Sequence, residues 1–202
     1  KYLRVNLNTG EIQPQQIDPA DVRRFLLGSG YAAMLYAREM DPAVQALDAD
    51  NPLYIFYGLA TGSIMPTACR VSFCGRSPLT GIWNEANMGG HFAAELRKAG
   101  LDGLVISGKA AQPVYLYVHD GTLEIRPAAH LWGMDTFDTY DQLIAETHPK
   151  ARAAVIGPAG ERQVRFAAIV QGGRTHSRAA GRGGMGAVLG SKLIKGIVAY
   201  GV

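Results

Sequence analysis

Apolar and polar residues alternate at the start of the chain, Tyr2-Leu3-Arg4-Val5-Asn6-Leu7, and after Asn8-Thr9-Gly10 a second extended stretch follows over 11–17. Alternation with a period of two on both sides of a Gly-containing turn predicts a β-hairpin. Asp18-Pro19 then supplies an N-cap and a first-turn proline. Val22, Phe25, Leu26, Ala33, Leu35, Tyr36 and Met40 recur at helical spacing, with Gly28 and Gly30 weakening the middle. Short apolar runs predict strands at 53–57, 71–74 and 81–83, a helix at 91–99, and strands at 104–107, 114–118 and 123–126. A helix at 136–147 has Asp135 as its cap. Strands at 153–156 and 164–170, a short helix within 183–192 and a last strand at 196–200 complete the reading. Strands outnumber helices and cluster instead of alternating with them, so the pattern favours α+β over a doubly wound sheet.

The chain resembles itself. Gly89-Gly90 followed by Ala93 and Lys98 sits over Gly183-Gly184 followed by Ala187 and Lys192. With one residue of slip, the run Gly103 to Gly108 sits over Gly196 to Gly201, and Gly58-Leu59-Ala60 echoes Gly157-Pro158-Ala159. Two copies of a β-α-β unit imply pseudo-two-fold symmetry. A ligand across that axis would meet two Gly-Gly turns and at least two arginines.

Composition adds little until it is divided along the chain. Of 202 residues, 48% are hydrophobic and 18% charged, which excludes disorder. No run of about 18 apolar residues occurs, and Lys1-Tyr2-Leu3-Arg4 lacks the apolar stretch of a signal peptide. Cys69 and Cys74 are too few for a disulfide scaffold and read as small buried hydrophobes, so a cytoplasmic location and no membrane are expected. The net charge of +3 conceals an asymmetry. Residues 1–149 carry 11 Lys/Arg and 16 Asp/Glu, whereas residues 150–202 carry 9 Lys/Arg, one acid (Glu161) and 11 of the 25 glycines. An Arg- and Gly-rich tail is suited to phosphate.

Gly181-Arg182-Gly183-Gly184-Met185-Gly186 satisfies G-x-G-x-x-G in form, but no strand reads before it and no acid follows to hold a ribose. What remains is a Gly-rich turn entering a helix beside Arg174, Arg178 and Arg182, with N–H groups and guanidinium forks for an anion. Arg70, before an apolar strand, is a further candidate. The five histidines are scattered, and no nucleophile, His and acid set can be asserted. Residues 171–195 contain no aromatic residue, which argues against nucleic acid and for a compact polyanion.

The stretch Arg178-Ala179-Ala180-Gly181-Arg182-Gly183-Gly184-Met185-Gly186-Ala187-Val188-Leu189-Gly190-Ser191-Lys192 resembles a signature of the aldehyde ferredoxin oxidoreductases, tungsten- or molybdenum-pterin enzymes. Ser77-Pro78-Leu79-Thr80-Gly81, Ala86-Asn87-Met88-Gly89-Gly90, His130-Leu131-Trp132-Gly133 and Ile156-Gly157-Pro158-Ala159-Gly160-Glu161 resemble further blocks in the same order. The resemblance implies that residues 1–202 are the N-terminal domain of a longer enzyme, an α+β duplication of two similar β-α-β units forming a saddle under a bis-pterin cofactor. By motif position, Arg70, Asn87, Gly89, Arg178, Ala179, Gly181 and Arg182 would bind cofactor. The carbonyls of Asn87 and Ala179 would face a magnesium ion that bridges the pterin phosphates. The 4Fe-4S cluster would come only through C-terminal domains.

The function so implied is oxidation of an aldehyde to a carboxylic acid, with electrons passing through the cluster to ferredoxin, in an enzyme expected to be a homodimer. The isolated domain is expected to be inactive. The alternative is a free-standing, non-catalytic pterin- or phosphate-binding subunit of a redox complex. A platform domain would also expose an apolar face around Gly89 and Gly183.

Overall fold

The computed structural model describes residues 1–202. The opening alternation becomes β1 (Tyr2–Asn6) and β2 (Glu11–Gln15), paired antiparallel. Two helices follow instead of one. α1 (Pro19–Phe25) is capped by the Asp18 side chain and stops where Leu26 adopts a positive φ of 62°, and α2 (Ser29–Glu39) begins after Gly28. The first sheet is completed by β3 (Leu53–Tyr57), β4 (Val71–Arg76), β5 (Trp83–Met88), α3 (Phe92–Lys98) and β6 (Gly103–Ser107).

The chain then repeats the plan. β7 (Val114–His119) and β8 (Thr122–Pro127) form a hairpin and α4 (Thr136–Glu146) follows, with Asp135 accepting from Phe137 and Asp138 N–H as its cap. Next come β9 (Arg152–Val155), the short α5 (Pro158–Glu161), β10 (Ile169–Gln171), β11 (Arg178–Ala180), α6 (Met185–Ser191) and β12 (Ile194–Tyr200). The sheets run β2-β1-β6-β3-β4-β5 and β8-β7-β12-β9-β10-β11, so each strand of the first has a counterpart six strands later. The pair orientations agree throughout: β1–β6 and β7–β12 are parallel and the other pairs antiparallel. The duplication therefore extends beyond the β-α-β segments to the opening hairpins.

Three further local expectations differ. The strand expected at 81–83 is instead β5, Trp83–Met88, because Gly81 has φ 75° and its N–H bonds back to Ser77 O at 2.8 Å as a turn. The strand expected at 164–170 is only Ile169–Gln171, because Gln163 has φ 55° and Ala167 N–H bonds back to Val164 O as a turn. β11 lies where the sequence predicts only a basic loop.

Alternation along the strands sorts their faces. Leu3, Val5, Ile55, Phe73 and Leu104 of the first sheet meet Leu116, Val118, Ala154, Ile169 and Ile197 of the second, with α3 and α6 completing this shared core. The opposite faces are covered separately. α2 packs Tyr31, Met34 and Leu35 on Tyr2, Tyr54 and Phe56, and α4 packs Leu143 on Tyr115, Val155 and Val198. No helix of the chain is long and apolar enough to cross a membrane.

Candidate functional site

β5 and β11 are edge strands of their sheets and lie next to each other. Edge strands carry main-chain groups without a ladder partner. The join is held by bonds between repeats: Ser77 Oγ donates to Gly183 O at 2.7 Å, Asn84 Nδ2 to Arg182 O at 3.2 Å, and Gln171 Nε2 to Gly89 O at 3.1 Å.

Two open concavities of about 600 and 580 Å³ flank this join and share Arg70, Asn87 and Ala179. The first adds Gly89 and Arg178 and the second Gly181 and Arg182, so all seven residues singled out in the sequence line one continuous surface. Cys69, Glu85, His91 and His176 also line it. His91 and His176 each lie close to a singled-out motif, which was the available signal. Cys69, expected as a buried hydrophobe, instead reaches the wall, whereas Cys74 is buried, with its thiol pushed up by desolvation.

The electrostatics are predominantly positive, with Glu85 the one carboxylate in the lining. The Arg–carboxylate pairs of the chain belong to Arg4, Arg38, Arg126 and Arg174, leaving Arg70, Arg178 and Arg182 without an ion-pair partner. The Asn87 side chain is already engaged, accepting from Ser72 Oγ at 2.9 Å and donating to Glu85. What Asn87 can offer a ligand is therefore its main chain.

The basic tail divides by burial. Lys192 is wholly buried and donates Nζ to Ala49 O at 2.7 Å and Gly108 O at 3.3 Å; desolvation pushes its amine down to about 8. Lys195, also wholly buried, pairs with Glu161 and donates to Met134 O at 2.8 Å. Burial lowers its pKa against the opposing pull of Glu161. Arg174 pairs with Asp138 and lies over the Phe137 ring. Of the tail's cations, Arg178 and Arg182 alone reach the shared surface.

Gly89 and Gly181 stand apart from the other glycines. Neither has positive φ, and a Cβ built on either meets nothing within 4 Å. Neither backbone conformation nor protein packing requires glycine there, and a side chain would project into space outside the protein. Exposed apolar side chains flank both turns: Leu79, Ile82 and Phe166 by the turn that holds Gly183, and Ile64 and Met65 in the loop leading to Thr67 and Cys69, which line the concavity with Gly89.

The architecture is a duplicated α+β domain with a concavity between its two repeats lined by Arg70, Arg178 and Arg182. The chain belongs to the family described as aldehyde ferredoxin oxidoreductase, N-terminal domain, which matches residues 2–201. It is 45% identical over its whole length to a tungsten-containing aldehyde ferredoxin oxidoreductase of Pyrococcus furiosus, and 43% to one of Thermococcus kodakarensis. In both cases it spans about a third of the relative's length (33%). It is also 34% identical to a P. furiosus aliphatic sulfonate oxidoreductase, WOR-like subunit, covering 34% of that protein. Among solved structures, the active-site complex of a benzoyl coenzyme A reductase with a dienoyl-CoA superposes on the entire chain with a TM-score of 0.95 at 36% identity, covering 30% of the matched chain.

Proposed function

We propose that this domain cradles a tungsten- or molybdenum-bearing bis-pterin cofactor in an oxidoreductase that converts aldehydes to carboxylic acids and passes electrons through an iron-sulfur cluster to ferredoxin. The residues present fit such a group. Guanidinium forks suit phosphate oxygens and main-chain carbonyls suit a hard cation, and glycines without a Cβ contact let a flat ligand lie on the backbone. The observation that carries the reading is the convergence of Arg70, Arg178 and Arg182, all without ion-pair partners, with Gly89 and Gly181 at one strand join.

In this reading, Arg178 and Arg182 would hold phosphate, Arg70 would bind cofactor oxygen, and the main-chain carbonyls of Asn87 and Ala179 would hold a magnesium ion. When bound, the cofactor supplies the two-electron chemistry. The chain's own contribution is to orient it and to neutralise its charge. No set of three or more Cys, His, Asp or Glu side chains is placed to hold a metal. Cluster ligands are assigned to the part of the longer relatives that this chain, at 33% of their length, does not span, and the working protein is read as a cytoplasmic homodimer. Elemental analysis of the full-length protein, purified from a host that makes the cofactor, should find tungsten or molybdenum together with iron; finding none of these would overturn the reading.

A further inference from the structure

We propose that Gln171 is a positioning residue that fixes the Gly89–Gly90 turn from the opposite repeat, with Ser77 fixing the Gly183 turn reciprocally, so that the two clamps set the gap between β5 and β11. The inference rests on the cofactor reading for its consequence and on geometry for its premise.

Gln171 ends β10 in the second repeat and is 2% exposed. Its Nε2 donates to Gly89 O in the first repeat at 3.1 Å. The amide fills the place where a side chain on Gly90 would stand, since a Cβ built there would overlap Nε2 and Cδ. Its Oε1 is buried without a partner. A buried amide that leaves its carbonyl unpaired is a poor choice for stability alone, because an apolar side chain of the same length avoids that cost. The bond to Gly89 is the interaction that the amide makes, and Gly89 lines the concavity beside Arg178.

The reciprocal clamp is built differently. Ser77 is wholly buried; its hydroxyl donates to Gly183 O at 2.7 Å and accepts from Leu79 and Thr80 N–H, both at 3.1 Å. Each repeat therefore holds the turn of the other, and the two sides of the concavity cannot drift apart independently.

The test uses the full-length protein carrying Gln171→Met, which keeps the length and removes both the donor and the orphaned carbonyl. The variant should unfold close to the wild-type midpoint, since losing the bond to Gly89 O offsets the removal of the unpaired Oε1, while amide exchange in the peptide over 89–92 speeds up about tenfold and metal retained per chain falls about tenfold. Ser77→Ala should loosen the peptide over 183–186 instead, so the idea remains testable if one variant does not fold. Unchanged exchange at both turns would overturn the proposal, as would faster exchange with full metal retention. If wild-type protein itself contained no tungsten or molybdenum, the cofactor reading would fail and the proposed consequence with it, while the exchange measurements would still decide whether the clamps hold the turns.

Discussion

Asn87 and Ala179 occupy the same position in the two repeats. Gly103 pairs with Phe56, Phe56 with Ser72 and Ser72 with Asn87; in the second repeat Gly196 pairs with Val155, Val155 with Val170 and Val170 with Ala179. The two residues lie on adjoining edge strands, so an ion or ligand on the internal axis would meet the same main-chain position twice. Two residues further along each chain stand Gly89 and Gly181. The arginines do not obey this symmetry: Arg70 precedes β4 of one repeat, while Arg178 and Arg182 belong to the β11 region of the other.

The glycine pair gives a direct test. Gly89→Ala and Gly181→Ala should leave the fold intact or stabilise it by about 0.4–1 kcal/mol, because they stiffen the unfolded chain at positions of ordinary φ with open space for the methyl. The same variants in the full-length enzyme should lose bound metal. Gly184→Ala should do the reverse and cost more than about 1–3 kcal/mol, since Gly184 has φ 79° and its Cβ would strike Arg165 O. Urea unfolding and metal analysis on all three variants separate the two effects.

Arg178→Ala and Arg182→Ala should each change stability by less than about 0.5 kcal/mol, as exposed residues without ion pairs. Affinity for inorganic pyrophosphate, read by calorimetry, should fall about tenfold or more per variant. The difference should narrow as salt is raised. Equal affinity in wild type and both variants would remove these arginines from the site.

Much of this arrangement was legible in the sequence, and the remainder was hidden for physical reasons. Hairpins, caps and buried strands carry local periodicity, so β1, β3, α4 and β12 are readable. The hairpin half of the repeat is marked by Tyr2-Leu3-Arg4-Val5 against Tyr115-Leu116-Tyr117-Val118, but three identities in an alternating strand resemble ordinary patterning. β11 is invisible because Arg178-Ala179-Ala180 has no strand-forming side chain, and its extended form is imposed by pairing with β10. Aligning Gly89-Gly90 with Gly183-Gly184 is natural by eye, yet strand register sets Gly89 against Gly181 and leaves an extra residue before α6. The charge of the tail likewise pointed to phosphate as a whole, although nothing local marks Lys192 and Lys195 as buried.

Lys195 and Glu161 form a largely internal ion pair that also gathers two of the family-like blocks. Glu161 accepts Gly133 N–H through both carboxylate oxygens at 2.9 Å, and Lys195 donates to Met134 O. These blocks therefore serve packing away from the concavity. Glu161→Ala should lower stability by about 3–5 kcal/mol, because it strands a buried ammonium. Replacing both partners, Glu161→Met with Lys195→Met, should recover much of that loss in a double-mutant cycle read by urea unfolding.

Lys192 should make the protein more stable as the medium turns alkaline. Its amine is pushed down to about 8 from 10.5 by burial, so below that pH the folded chain holds a charge it would rather lose. Between about pH 8 and 10 the unfolded chain keeps a proton that folded Lys192 has released, and stability rises with pH wherever the unfolded state binds more protons. Lys195, lowered in the same direction, adds to the rise. Above pH 10 the buried phenols of Tyr54 and Tyr57, both raised, work the other way, because the unfolded chain deprotonates first. Lys192→Met removes the titration and strands the carbonyls of Ala49 and Gly108. Wild type should thus gain on the variant by on the order of 2 kcal/mol between about pH 7.5 and 10, as read by urea unfolding at several pH values. Parallel stability curves would show that Lys192 stays charged in the fold.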